Sequence, residues 1–270
     1  MADDFEFDDI EEERPPDQKE NEAKNDVLSL FEKYKEEVFF SRQIEVRLED
    51  RYFHWITNRA IRNLVAIGKL KTEVRSLQSG GKIHLMWRHG YRYYRRSAAK
   101  VVKIVEEYAA PNIAGSIGLH GEMMVLEGYA RFQFVMKGRN TQEYLGKKWD
   151  KSAHNLDFIF EKDGLSYGME VKNTLGYMDY KELRTKLKMC RQLGLRPVLV
   201  ARILPKAWIK EIVDEGGFAL ILKYQLYPWT HKELAIGVAG ELGLPVDAPK
   251  IIEDGTMKRF MRWHKKNLRI

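Results

Sequence analysis

The sequence predicts an α/β protein in two parts: a small α+β domain near the N-terminus, then a larger core built on a mixed sheet. Three observations carry this. Residues 27–96 read helix, helix, helix, then two strands split by Gln78-Ser79-Gly80-Gly81. Asp163-Gly164 separates two strand-patterned runs, and both residues tolerate the positive φ that a two-residue hairpin turn requires. Beyond that hairpin the pattern alternates helix, strand, helix, strand as far as residue 222. Strands joined through helices pair in parallel, so hairpin and crossovers together give mixed pairing.

Charge divides the chain unevenly. Residues 1–26 hold twelve acidic and three basic side chains, with Pro15-Pro16 inside, and read as a disordered, solubilising tail. The sharper alternatives are a phosphate mimic that competes for the basic surface, or a docking arm holding Phe5, Phe7 and Ile10. The rest carries 43 basic against 27 acidic residues, a surplus that suits a polyanionic partner. The one cysteine, Cys190, supports neither an intramolecular disulfide nor a cysteine zinc site. No apolar run reaches transmembrane length and the N-terminus is acidic, so a cytoplasmic protein without membrane contact is expected.

From Val27, a stripe of Leu28, Phe31, Tyr34 and Val38 predicts the first helix. Ser41 is the expected cap of a second, carrying Ile44, Val46 and Leu48. The third places Trp55, Ile56, Ala60, Ile61, Leu64 and Val65 at helical spacing and stops at Gly68. KLKTEVRSL and KIHLMWRHG make the strand pair. This order, over residues 27–96, resembles winged helix-turn-helix DNA-binding domains. The resemblance implies a third helix in the major groove of double-stranded DNA, presenting His54, Asn58, Arg59, Arg62 and Asn63. Arg and Asn are the side chains that read guanine and adenine edges. The wing would carry Arg75, Lys82 and Arg88. Arg92, Arg95, Arg96 and Lys100, interleaved with Tyr91, Tyr93 and Tyr94, suit a phosphate backbone. A winged helix used for protein contact is the plainer alternative.

Residues 97–117 form the expected linker, a helix followed by a break over 111–118. The core, 118–230, opens with a helix whose stripe is Val125, Tyr129, Phe132 and Met136; Glu122 is a carboxylate on that stripe. Residues 138–153 read as a polar loop. After the hairpin, Tyr180, Leu183, Leu187, Cys190 and Leu193 mark an amphipathic helix, with Lys181, Arg184, Lys186, Lys188 and Arg191 on its solvent side. Residues 196–201 are a buried strand. Pro205 opens a helix with Trp208, Ile209, Ile212 and Val213, and 218–222 is the last strand. Residues 231–270 are a basic helical extension whose Met257, Phe260, Met261 and Trp263 suit either core packing or a position beside phosphates.

The chemistry lies in the hairpin. With Asp163-Gly164 as the loop, paired positions place Asp157 across from Glu170 on one face, and Lys172 two residues further along. Directly opposed like charges destabilise a strand pair. Two carboxylates among Phe158, Ile159, Phe160, Met169 and Val171 suit a divalent cation, Mg²⁺ or Mn²⁺. Solvated surface is the bland reading of the same pair. The pattern Asp157 … Glu170-Val171-Lys172 resembles the PD-(D/E)xK nuclease superfamily, over about residues 119–229; Leu156 stands where that pattern often has proline. The resemblance implies a restriction endonuclease-like fold and hydrolysis of DNA phosphodiesters. It implies metal ligands at Asp157, Glu170, the Val171 carbonyl and Glu122, with Lys172 acting on the phosphate or water. Restriction, repair, junction-resolving and transposon-end nucleases all fit, and a double-strand cutter would act as a homodimer. A DNA-binding regulator that no longer cuts is the competing class. His120 and His154 flank the site without a predicted role.

Overall fold

The computed structural model describes residues 17–268, so the expected tail, with Phe5, Phe7 and Ile10, lies outside the described residues except for its last ten. The fold is mixed α/β, and the described residues form two compact units: residues 17–115 with 233–244, and residues 116–232 with 245–268.

In the first unit α1 spans Gln18–Lys33. Residues 17–26, expected to be disordered, are therefore ordered. Asp17 caps the helix by accepting the Glu20 N–H at 2.8 Å, and its buried stripe is Ala23, Val27 and Phe31 at four-residue spacing. Acidic residues that resemble a tail are also those favoured at a helix N-terminus. A two-residue strand β1 (Phe39–Phe40) leads into α2 (Ser41–Leu48). Its cap differs from the expected serine: Phe40 stands at the N-cap, and its N–H is taken by the Gln43 side chain at 3.0 Å. Helix α3 (His54–Ala66) closes at Gly68, whose φ of +72° favours glycine. Strands β2 (Leu70–Ser76) and β3 (Lys82–Arg88) pair antiparallel from Leu70↔Arg88 to Ser76↔Lys82, and β1 adds to the other side of β3. Val27, Phe31, Phe39, Ile44, Ile61, Leu64, Leu70 and Met86 form the core.

Helix α4 (Tyr94–Ala109) belongs to this unit rather than to a linker; Tyr94 stacks on Trp87 with ring centres 4.1 Å apart. Residues 233–244 join it as well, ending in a π-helical segment, Val238–Leu242. Gln43 donates to the Leu242 carbonyl at 2.9 Å, and Lys100 pairs with Glu241. The expected C-terminal extension is thus divided between the two units.

Helix α5 (Pro111–Arg131) starts where a break was expected. Proline has no N–H to lose in a first helical turn, so it opens this helix instead of interrupting it. The unit boundary falls within it, after Gly115. Because α5 ends at Arg131, its stripe does not continue to Phe132 and Met136; Met136 lies in β4 (Val135–Thr141), which also takes up the start of the expected polar loop. The rest of that loop holds a small ribbon, β5 (Glu143–Tyr144) and β6 (Lys147–Lys148).

The second unit is built on a five-stranded sheet: β7 (Leu156–Lys162), β8 (Leu165–Lys172), β9 (Arg196–Ala201) and β10 (Phe218–Ile221), with β4 at one edge, in the order β10-β9-β8-β7-β4. The β4-β7-β8 portion is antiparallel and β8-β9-β10 parallel, because α6 (Tyr180–Leu193) and α7 (Lys206–Asp214) supply the crossovers. A parallel two-residue pair, β11 (Gln225–Leu226) with β12 (Val246–Asp247), follows. One sheet face is covered by α5 and by α8 (Asp254–Asn267), in a core holding Tyr129, Phe158, Phe160, Tyr167, Met169 and Phe260. Helix α8 thus serves core packing: Met257 and Phe260 are fully buried. Its His264, also fully buried, joins Tyr167 Oη at 2.6 Å and Asp163 Oδ2 at 3.0 Å, tying the helix to the hairpin turn. Among the described residues no helix is long and apolar enough to cross a membrane.

Candidate active site

The hairpin turn has Asp163 at φ +51° and Gly164 at +75°, the pair of positive values expected of it. The ladder runs Lys162↔Leu165, Glu161↔Ser166, Phe160↔Tyr167, Ile159↔Gly168 and Phe158↔Met169, the register read from the sequence. It stops one position short of Asp157 and Glu170. There the Asp157 carboxylate accepts the Val171 N–H at 2.7 Å, which fixes Oδ2 at the rim of the sheet.

Glu170 is 3% exposed and lies on the face covered by α6. Gly168 explains the close approach of that helix: a Cβ there would stand 2.7 Å from Cys190 Sγ. Four residues along a helix rise about 6 Å and two along a strand about 6.6 Å. The run on α6 from Cys190 back to Lys186 and Glu182 therefore matches the run on β8 from Gly168 forward to Glu170 and Lys172. The pairings follow. Lys186 Nζ is 2.5 Å from Glu170 Oε2, and Lys172 Nζ is 2.9 Å from Glu170 Oε1 and 2.8 Å from Glu182 Oε1. Lys186 was expected on the solvent side; it is buried, because the glutamate opposite it gives the ammonium a partner.

Burial raises the pKa of Asp157; nearby Glu122 adds to the rise, and the Val171 N–H, Lys186 and Lys172 oppose it. Burial also raises Glu170, with Asp157 adding and the two lysines opposing. For Lys172, burial works against the charge, but Glu170 and Glu182 outweigh it and hold the ammonium above its ordinary range. Both glutamates thus favour the charged form of Lys172. Cys190 is a buried thiol pushed up to about 12, which fits its expected role as a small apolar group.

Glu122 sits on α5, half-buried, 3.7 Å from Arg139 Nη2. What brings α5 to this end of β8 is Asn173, which directly follows Lys172. Its amide donates to the Ile117 carbonyl at 2.8 Å and the Leu226 carbonyl at 2.7 Å, while its oxygen accepts the Leu226 N–H at 2.7 Å. Gly121 makes room: a Cβ there would stand 2.4 Å from Asn173 Cβ. Sequence reasoning places neither Asn173 nor Lys186 in the site. Nothing periodic marks Asn173, whereas the match between residues 182, 186 and 190 and residues 172, 170 and 168 was available.

Among the described residues no group of three or more His, Cys, Asp or Glu side chains stands ready to hold a metal ion. The donor set nonetheless suits a hard divalent cation. Asp157 and Glu170 are neighbouring carboxylates, each raised chiefly by burial, and Asp157 accepts from a backbone N–H while Lys186 and Lys172 offset part of its charge. Glu122 pairs with Arg139 and lies near enough to Asp157 to raise its carboxyl.

In the first unit the expected DNA-facing residues divide. Lys82, Arg92, Arg95 and Arg96 are exposed, and Arg75 is exposed beside Glu73 at 2.6 Å. Asn58, Arg62 and Asn63 are half-buried. Arg59 is not the exposed side chain that was expected. It is only 12% exposed, 3.5 Å from Glu20, and lies over the Trp55 ring at 4.3 Å; that ring, expected in the core, is 38% exposed. His54 is half-buried, and burial with Arg42 beside it lowers its pKa to about 4. His154 is exposed against Ser152, and burial lowers His120. No protein-family model, curated protein or solved structure matches the chain.

Proposed function

We propose that this protein is a metal-dependent DNA endonuclease of the PD-(D/E)xK type, targeted to duplex DNA by a winged-helix-like first unit. The observation that carries the reading is the meeting of Asp157, Glu170 and Lys172 at one end of the central strands, with Glu122 near enough to raise the Asp157 carboxyl. Asp157 and Glu170 would hold Mg²⁺ or Mn²⁺, with the Val171 carbonyl and Glu122 completing the protein's contribution. Such an ion polarises a phosphate and lowers the pKa of bound water. Lys172, kept charged by Glu170 and Glu182, lies where it can stabilise negative charge developing on the scissile phosphate. The Val171 N–H fixes the orientation of Asp157, and Asn173 holds Glu122's helix against the same strand. The exposed Arg92, Arg95, Arg96 and Lys82 supply phosphate contacts.

One observation favours a second reading, a DNA-binding regulator that does not cut: both oxygens of Glu170 already face lysine ammonium groups. Incubation with plasmid, linear duplex, single strands and a four-way junction, with Mg²⁺ or with EDTA, separates the two. The nuclease reading expects Mg²⁺-dependent cleavage of duplex DNA that Asp157→Ala, Glu170→Ala and Lys172→Ala abolish without loss of binding. Binding without cleavage in every metal would leave the regulator.

A further inference from the structure

Lys186 has no part in the reading above. Its side chain is 4% exposed, though lysine is almost never buried unpaired. Its Nζ lies 2.5 Å from Glu170 Oε2 and also donates to the carbonyl of Asn155, two residues before Asp157. Lys172 holds the other Glu170 oxygen at 2.9 Å. Asp157, by contrast, is met by a backbone N–H.

We propose that Lys186 is a built-in cation that fixes Glu170 and limits the centre to a single divalent ion, entering on the Asp157 side. The inference rests on the metal-dependent reading of this site. Its physical basis is charge. Glu122, Asp157, Glu170 and Glu182 stand against Lys172, Lys186 and Arg139, a net of one negative. One divalent ion leaves the cluster one positive, which a phosphate can balance. A second would leave it three positive, in a setting where burial weakens screening. Mg²⁺ approaches carboxylate oxygens to about 2.1 Å, so an ion on Glu170 Oε1 displaces the Lys172 ammonium, whose side chain is 28% exposed, whereas a second on Oε2 would have to displace the buried Lys186. Without the Lys186 charge the cluster is two negative, and that oxygen opens to a metal.

The test is Mn²⁺ stoichiometry on the full chain, read from loss of the free-ion electron paramagnetic resonance signal. One ion per chain is expected for the wild type and for Lys186→Arg, and two for Lys186→Met. Lys186→Gln keeps a donor for the Asn155 carbonyl and is also expected to take two; it decides the matter if Lys186→Met loses its near-ultraviolet dichroism. Two ions in the wild type, or one in the folded neutral variant, would overturn the role of Lys186 while leaving the metal centre intact. No ion bound by the wild type would overturn the metal-dependent reading and this inference with it.

Discussion

At the scale of single residues, the informative side chains are charges placed where apolar groups would serve. Glu45 is 3% exposed and 3.3 Å from Arg42, and burial pushes its carboxyl up to about 7 despite that arginine. A carboxyl raised in the folded state favours folding below its ordinary value of 4.5, and that contribution disappears as pH rises through about 7. The first unit should therefore lose up to roughly 3 kcal/mol across that window. Glu45→Gln should flatten this part of the profile in denaturant titrations; an unchanged slope would assign the pH dependence elsewhere. Asp157 and Glu170 act in the same direction, each raised chiefly by burial. Asp157 and Glu170 were legible in the sequence because a two-residue turn fixes every pair of its hairpin. Lys186 was not, because a lysine's place on a helix is decided by what faces it, and a buried glutamate reverses the usual preference.

At the scale of elements, two glycines set how closely helices approach the central strand. Gly168 admits α6 and Gly121 admits α5. Gly121→Ala should destabilise the second unit by about 1–3 kcal/mol through overpacking against Asn173. It should also lower cleavage more than duplex binding, because Glu122 moves with its helix. A variant with wild-type stability and cleavage would mean that α5 shifts freely. Strands β7 to β10 and helices α6 and α7 were readable, since each carries an apolar period of its own. The start of α1, the run of α5 through Pro111 and the edge strand β4 were not. Acidic residues, proline and polar alternation each fit a helix end or a sheet edge as well as they fit a loop.

At the scale of the whole molecule, the division into units differs from a cut in sequence order. The first unit draws on residues 94–115 and 233–244, so removing residues 1–96 would cut into α4 and take the Gln43 donor from the Leu242 carbonyl. Point variants are the cleaner probe of its role. Replacing Arg92, Arg95 and Arg96 with alanine should leave the melting temperature unchanged, because all three are exposed. It should weaken duplex binding and reduce the slope of log affinity against log salt by about 1 for each phosphate no longer neutralised. An unaltered slope would remove this run from the DNA-binding surface.

The carboxylate pair is the centre of the proposed chemistry, and thermal melting of the wild type and Asp157→Asn, in EDTA and across a Mg²⁺ series, tests it most directly. An ion that binds only the folded site raises the melting temperature with concentration. The wild type should rise in this way. Asp157→Asn, relieved of one charge at nearly constant shape, should melt at or above the wild type in EDTA and gain nothing from Mg²⁺. A variant that is destabilised in EDTA yet still stabilised by Mg²⁺ would contradict the pairing of Asp157 and Glu170 as a metal centre.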